Sequence, residues 1–271
     1  MKIFRTLHHA IIESGGAFRR EDVNRWDALI NSDDHASLLL DLPLCSAPAS
    51  SELLAPIGSQ EIWAAGVTYH RSRDARVKES GSQGAGDFYT KVYEAQRPEL
   101  FFKAPAYRVV GPGGSVRIRR DAQWSVPEPE LTLVINNRGS IVGYSIGNDM
   151  SSRDIEGENP LYLPQAKMYD GSCALGPCVY LTREPFPLDT KIQMNIYRAG
   201  AMIFAGSTQV RNIKRAFTEL AEYLYRETSY PHGCLLMTGT GIVPPDDFTL
   251  QSRDEVEITI DPIGCLRNIV A

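Results

Sequence analysis

Short runs of β-branched and aromatic residues, separated by glycine and proline, dominate the chain from residue 61 onward and constrain its fold more than any other feature. Runs bounded in this way are typical of strands. The predicted strands are Glu61–Val67, Leu100–Lys103, Ser115–Ile118, Glu130–Ile135, Ile141–Ile146, Cys178–Thr182, Lys191–Tyr197, Met202–Ala205, Leu235–Thr238 and Glu255–Ile260. Long helices do not alternate with them, which disfavours a doubly wound parallel sheet or an eightfold barrel.

Helices are predicted at two places in this region, over about residues 87–96 and 214–227. The second has Phe217, Leu220 and Leu224 on one face, which is typical of a packing surface. The first sixty residues differ, because they mix short helical patterns with a Ser/Pro/Ala-rich stretch at 46–55. We therefore expect a small N-terminal domain over residues 1–60 and a catalytic domain over residues 61–271.

The composition disfavours several classes of protein. A net charge of -5 over 271 residues offers no basic surface for a nucleic acid. No apolar run approaches the roughly 18 residues of a membrane span, and the first residues lack the features of a signal peptide. Five cysteines without CxxC spacing predict free thiols. We expect a cytoplasmic protein that binds neither nucleic acid nor membranes.

Three carboxylates are predicted to share one face of a hairpin. Glu128 and Glu130 lie two residues apart in an extended segment, so their side chains project from the same face. A tight turn at Asn136–Gly139 joins this segment to the strand before Asp149. With a two-residue loop, Glu128 faces Gly147, and Asp149 lies one diagonal step away, at roughly 7–8 Å. A one-residue bulge would move Asp149 to the opposite face.

Clustered carboxylates repel one another unless a cation neutralises them, and an all-oxygen set suits Mg²⁺, Mn²⁺ or Ca²⁺ better than zinc. An ordinary polar hairpin remains the alternative on spacing alone. Lys167 ends an apolar segment, where a surface lysine that extends its ammonium into water is the commoner case. The turn at Thr238–Gly241 could present backbone amides to an anion, although such turns are common.

A set of short motifs occurs along the chain in a fixed order. The motifs are Glu128-x-Glu130, Gly143-Tyr144, Asn148-Asp149-Met150-Ser151-Ser152-Arg153-Asp154, Lys167 and Leu175-Gly176-Pro177. In order and spacing they resemble the signature of the fumarylacetoacetate hydrolase family, over about residues 62–268. Two longer strings, at 92–103 and 156–165, are most similar to the 2-keto-3-deoxy-D-arabinonate dehydratases of that family and are more specific than the carboxylates.

This resemblance implies a fold of the α+β class, a β-rich mixed β-sandwich roll, assembled as a homodimer or homotetramer. It also implies one Mg²⁺ per subunit, with Mn²⁺ or Ca²⁺ as possible substitutes, and a small-molecule 2-oxo acid as substrate. The implied metal ligands are Glu128, Glu130 and Asp149; the implied catalytic residues are Glu99 and Lys167; the implied substrate-binding residues are Arg73, Arg153, Gly239 and Thr240.

The family contains both hydrolases and dehydratases, and the segment after Thr68 bears on the choice. Hydrolases typically carry Asn-Tyr-x-x-His-x-x-Glu here, a dyad that activates water, whereas this chain has Ser72 and Ala75 at the positions of the His and Glu. His70 is expected to point to the opposite face of an extended segment. Arg73, followed by an aspartate, resembles the basic-acidic pair of the dehydratases.

The resemblance therefore favours a dehydratase that converts a 2-keto-3-deoxy-pentonate to 2,5-dioxopentanoate. A departure near the C-terminus, where Cys265 stands at the position of a threonine in the Gly-Thr-Leu pattern of the dehydratases, bears on which substrate is held. Two alternatives remain open. One is a carbon-carbon hydrolase or decarboxylase of an acylpyruvate with His70 as base, and the other is a non-catalytic metal-binding scaffold.

Overall fold

The computed structural model describes residues 1–32, 34–35, 39, 41–69 and 86–271. The strands are β1 (Lys2–Arg5), β2 (His9–Ser14), β3 (Ala17–Asp22), β4 (Leu44–Cys45), β5 (Glu61–Gly66), β6 (Glu99–Pro105), β7 (Val109–Val110), β8 (Ser115–Val116), β9 (Ser125–Val126), β10 (Pro129–Ile135), β11 (Ile141–Asp149), β12 (Ser151–Ser152), β13 (Cys173–Leu181), β14 (Lys191–Arg198), β15 (Ala201–Gln209), β16 (Cys234–Met237), β17 (Glu255–Ile260) and β18 (Gly264–Val270).

Helices are few and short. In the described ranges they are α1 (Trp26–Ile30), α2 (Gly86–Glu94), α3 (Arg153–Glu158), α4 (Leu163–Lys167) and α5 (Phe217–Tyr225). Helices α2 and α5 occur where the sequence predicts them, and both are shorter than predicted. None of the helices described is long and apolar enough to cross a membrane.

Most strands belong to two sheets. The larger sheet has eleven strands, in the order β4-β3-β2-β1-β13-β11-β10-β16-β5-β6, with β7 paired to β13 outside this path. The smaller sheet has five strands, in the order β15-β14-β17-β18-β8, and β9 pairs with β12 in a separate ribbon. The β5–β16, β7–β13 and β8–β18 pairs are parallel, and the β10–β11 and β14–β15 pairs are antiparallel. The architecture is therefore mixed.

The larger sheet buries apolar side chains on both faces. Leu131 and Leu133 of β10 project toward the smaller sheet, where they join Met194 and Ile258 in one core. Successive strand residues point to opposite faces, so Val134 belongs to a second core that α1 helps to cover on the other side of the sheet. A sheet covered on both faces holds its central strands rigidly, and the carboxylates lie at the end of two of these strands.

Replacing Leu133 with Ala should lower the free energy of unfolding by about 2–5 kcal/mol, because truncating a fully buried leucine loses apolar contacts and leaves a cavity. Urea unfolding followed by circular dichroism measures this loss. The matched control is Leu188→Ala, at a site that is 62% exposed, for which we expect a change within about 0.5 kcal/mol. Equal losses in the two variants would contradict the assigned core.

The N-terminal region is more β-rich than its sequence pattern predicts. Residues 2–22 form the antiparallel strands β1, β2 and β3, and β1 pairs with β13, so these strands extend the larger sheet. A short helix, α1, forms at Trp26–Ile30. The short helical patterns of the sequence did not predict these strands, because apolar runs as short as Ala10–Ile12 carry no period that separates a buried strand from a helix. The division of the chain at residue 60 stays a prediction.

Candidate active site

The turn between β10 and β11 sets the register of the carboxylates. It is a three-residue loop: Asn136 N donates to Ser140 O at 2.9 Å, and Gly139 N donates to Asn136 O at 3.0 Å. Gly139 adopts a left-handed φ of 79°, which favours glycine. A bulge between Val134 and Ile135 shifts the register by one more residue. The predicted two-residue loop was therefore wrong.

The longer loop and the bulge each displace the pairing of β10 with β11 by one residue in the same direction. Together they displace it by two residues, so the side chains of both strands stay on the predicted faces. Glu130 lies opposite Gly147, and the backbone N–H of Asp149 donates to the carbonyl of Glu128 at 2.9 Å. Asp149 thus lies directly across from Glu128 and not one diagonal step away. The three carboxylates share one face because the two one-residue shifts add to two residues, and a shift by two leaves every side chain on its original face.

The carboxylates of Glu128, Glu130 and Asp149 form one buried cluster. One oxygen from each lies within 4.8 Å of the others. The three residues are 3%, 1% and 1% exposed, respectively. Three carboxylates this close, away from water, need nearby positive charge or the uptake of a proton to be stable.

Two of the three carboxylates are paired with cationic side chains. Lys167 Nζ lies 2.6 Å from Glu128 Oε2 and 3.0 Å from Asp149 Oδ2. Arg153 Nη2 donates to Glu128 Oε1 at 2.7 Å, and Lys103 Nζ lies 2.5 Å from Asp149 Oδ1. All three cationic residues are at most 2% exposed. Lys167 is therefore not the surface lysine that its local sequence favours.

Glu130 has a different environment. Its Oε2 accepts a hydrogen bond from the backbone N–H of Gly239 at 2.6 Å, and the ion pairs identified between described residues in this cluster go to Glu128 and Asp149. Complete burial, with further contributions from Asp149 and Glu128, raises the pKa of Glu130 well above its ordinary value. A buried carboxylate of this kind, beside two others, fits a hard divalent cation that prefers oxygen ligands.

The turn at Thr238–Gly241 supports the cluster from the neighbouring β16 strand. Gly239 has a left-handed φ of 89°, and a Cβ there would lie 2.1 Å from Thr68 Oγ1. The hydroxyl of Thr68 in turn donates to the carbonyl of Thr238 at 2.6 Å. Glycine is required for this close approach, and the approach directs the Gly239 amide at Glu130.

The carboxylates open into one cavity. Its walls are Ala65, Gly66, Val67, Glu99, Phe101, Glu128, Glu130, Asp149, Arg153, Glu156, Lys167, Gly239 and Thr240. Glu99 begins β6 and lies against β5, where a Cβ added at Gly66 would stand 2.1 Å from Glu99 Oε2. The structure brings eight of the nine sequence-predicted site residues to this cavity. The ninth, Arg73, lies outside the described residues, as do His70, Ser72 and Ala75.

Sequence reasoning missed three residues at this site: Phe101, Lys103 and Glu156. Phe101 lies between Glu99 and Lys103 on β6, and its ring centroid is 5.9 Å from Lys167 Nζ. Glu156 is on α3, and its Oε2 accepts a hydrogen bond from Ser151 Oγ at 2.8 Å. The available signal for Phe101 was its position two residues after Glu99, since a strand places such residues on one face. Lys103 carried no such signal, because a bulge in β6 interrupts the alternation before it.

Comparison with known proteins identifies the family. The model of the fumarylacetoacetate (FAA) hydrolase C-terminal family matches residues 61–271. The chain belongs to this family. The α+β fold with a β-rich sandwich is confirmed by the solved structures that resemble the chain.

Two curated relatives and one solved structure are informative about chemistry. The probable 2-keto-3-deoxyxylonate dehydratase of Haloferax volcanii is 48% identical over 216 residues, 79% of this chain and 73% of the relative. The 2-dehydro-3-deoxy-D-arabinonate dehydratase of Saccharolobus solfataricus is 44% identical over 215 residues, 78% of this chain and 72% of the relative. A structure of 2-keto-3-deoxy-D-arabinonate dehydratase complexed with magnesium and 2,5-dioxopentanoate has a TM-score of 0.87 and 35% identity, covering 100% of this chain and 98% of the other.

Proposed function

We propose that the protein is a Mg²⁺-dependent dehydratase that removes water from a 2-keto-3-deoxy-pentonate to give 2,5-dioxopentanoate. The observation that carries the proposal is the buried cluster of Glu128, Glu130 and Asp149 beside Lys167, in a cavity that also holds Glu99. Support comes from the two dehydratases that are 44% and 48% identical to the chain.

Glu128, Glu130 and Asp149 would hold the metal, which supplies a Lewis acid that stabilises negative charge on the C2 oxygen of a 2-oxo acid. Lys167 is held by Glu128 and Asp149, so its ammonium stands beside the same position. A buried cation there lowers the energy of a developing oxyanion more than it would in water. Arg153 keeps Glu128 oriented through its 2.7 Å contact, and the Gly239 amide does the same for Glu130.

Proton transfer is assigned to carboxylates on the cavity wall. Removing water takes a proton from C3 and a hydroxyl from C4, which leaves a C3=C4 double bond. One proton then leaves C5 and one returns to C3, which gives an enol with a C4=C5 double bond. The enol becomes the aldehyde when its C5 hydroxyl loses a proton and C4 gains one. Glu99 is the base that we assign to C3, a role that typically contributes about 10² to 10⁴ in rate. Glu156 is the second carboxylate of this cavity outside the metal-binding cluster; Ser151 orients it, and we assign to it proton transfer at the C4–C5 end.

The test of the function is to incubate purified protein and Mg²⁺ with 2-keto-3-deoxy-D-arabinonate, its enantiomer and an acylpyruvate. Each reaction is run with and without EDTA, and products are identified by mass. We expect one of the two sugar acids to lose the mass of one water. EDTA should suppress this loss, because the metal stabilises the negative charge that develops during the reaction. Turnover that persists in excess chelator would contradict the proposal.

The other outcomes separate the alternatives. Release of pyruvate from the acylpyruvate, with both sugar acids unchanged, would indicate a hydrolase with a different base. A scaffold without catalysis would turn over none of the three compounds. Its melting temperature would rise with Mg²⁺ by mass action and would not rise further with pyruvate or oxalate. The homodimeric or homotetrameric assembly and the cytoplasmic location stay predictions, and light scattering tests the assembly.

A further inference from the structure

Lys103 is a buried lysine that contacts the site without lining the cavity. Its side chain has 0% exposure, and the cavity walls include Glu99 and Phe101 of the same strand. The pairing of β6 with β5 is irregular here: Phe102 pairs with Trp63, and Ala104 pairs with Ile62, which leaves Lys103 as the extra residue of a bulge. Bulges redirect side chains and often occur beside active sites.

The ammonium of Lys103 makes three contacts, an ion pair with Asp149 and hydrogen bonds to two backbone carbonyls. Nζ lies 2.5 Å from Asp149 Oδ1, 3.1 Å from the carbonyl of Met150 and 2.5 Å from the carbonyl of Lys167. The carbonyl of Lys167 belongs to the last residue of α4, where helix carbonyls have no partner within the helix. An ion pair and two hydrogen bonds offset the cost of burying an ammonium.

These three contacts connect the elements that supply the chemistry. Strand β11 carries Asp149, helix α4 carries Lys167, and strand β6 carries Glu99 and Lys103 itself. Asp149 is held at both oxygens, because Oδ1 faces Lys103 and Oδ2 faces Lys167 at 3.0 Å. The hydroxyl of Ser172 adds a second bond to the Lys167 carbonyl at 2.9 Å.

We propose that Lys103 is a positioning residue that fixes Asp149 and the end of α4 relative to each other, so that a metal ligand and the cation of Lys167 keep a constant separation. This inference rests on the proposed function and deepens it. Lys103 acts through Asp149 and Lys167 and touches no substrate. Removal of such supporting partners typically costs about 10- to 100-fold in metal affinity or activity.

The test is Lys103→Met, which keeps an unbranched side chain one atom shorter and removes both the donors and the charge. We expect kcat on the 2-keto-3-deoxy-pentonate to fall about 10- to 100-fold, with KM changed less than about threefold because the groups that contact substrate remain. Mn²⁺ added alone gives a readout that does not depend on turnover. Its electron paramagnetic resonance spectrum should broaden in Lys103→Met, since Asp149 is then held at one oxygen only.

Lys103→Gln keeps N–H donors and removes the charge, so its kcat should lie between those of the wild type and Lys103→Met. If Lys103→Met does not fold, Lys103→Gln is used in its place. The matched control is Arg198→Met, which removes a partner of the buried Asp254 on the smaller sheet. Its kcat and Mn²⁺ spectrum should equal those of the wild type.

Wild-type kcat and an unchanged Mn²⁺ spectrum in Lys103→Met would overturn the proposal. So would a rise in KM with kcat unchanged, which would indicate direct contact with substrate. If the wild type itself shows no dehydratase activity, the proposed function fails, whereas the comparison of Mn²⁺ spectra still tests the role of Lys103.

Discussion

Replacing Asp149 with Asn should abolish dehydratase turnover and Mg²⁺ binding together. Asp149 faces Lys103 with one oxygen and Lys167 with the other, at 2.5 and 3.0 Å. An amide nitrogen in place of either oxygen sets N–H donors against an ammonium, and the change also removes one of the three negative charges that would hold the ion. Because a buried pair is broken, we also expect a loss of about 3–5 kcal/mol in the free energy of unfolding.

Calorimetric titration with Mg²⁺ and product analysis by mass measure the two effects. The wild type should gain thermal stability as Mg²⁺ is added, since a ligand that binds the folded state stabilises it by mass action, and Asp149→Asn should gain none. The matched control is Asp254→Asn, which alters a buried aspartate paired with Arg198 at 2.8 Å. That variant should be destabilised yet retain Mg²⁺ binding. Mg²⁺-dependent turnover within tenfold of the wild type in Asp149→Asn would refute the assignment.

The same aspartate shows how far sequence reasoning reached. Alternation along a strand predicts that Glu128 and Glu130 share a face, and the hairpin signal at Asn136–Gly139 places Asp149 near them. The loop length and the bulge at Val134/Ile135 could not be predicted, because both depend on how β10 packs against β16 as well as β11. The shared face was still predicted correctly because the two omitted shifts, of one residue each, add to two residues and leave each side chain on the same face.

Contacts between segments that are distant in sequence explain why the burial of Lys167 and the position of β1 were not predicted. Lys167 lies among groups that are distant in sequence, because its ammonium contacts Glu128, 39 residues away, and its carbonyl accepts a hydrogen bond from Lys103, 64 residues away. The sequence next to Lys167 does not indicate these contacts, and Lys167 was predicted as a catalytic residue from the family resemblance alone. Likewise, β1 joins the larger sheet by pairing with β13. Such long-range pairings carry no periodic signal in either strand taken alone.

Glu99→Gln should lower kcat by roughly 10² to 10⁴ while leaving Mg²⁺ binding intact, because the amide cannot take the C3 proton. Glu99 lies outside the metal-binding cluster, so the ion should still stabilise the variant. Exchange of the C3 hydrogens of 2-oxobutyrate in D₂O, followed by NMR, isolates the proton step, since this acid has no hydroxyl to lose. We expect the wild type to catalyse exchange and Glu99→Gln to lose it.

A second variant tests whether the position of the Glu99 carboxylate matters when the carboxylate itself is kept. Gly66→Ala would place a Cβ 2.1 Å from Glu99 Oε2, which forces the end of a flexible side chain to move while the strand backbone stays. Exchange and kcat should therefore fall in Gly66→Ala although every carboxylate remains. Glu61→Gln, an exposed glutamate on the same strand β5, is the matched control and should exchange at the wild-type rate. Wild-type exchange in Glu99→Gln would instead assign the C3 proton to Glu156, the other carboxylate of the cavity outside the metal cluster.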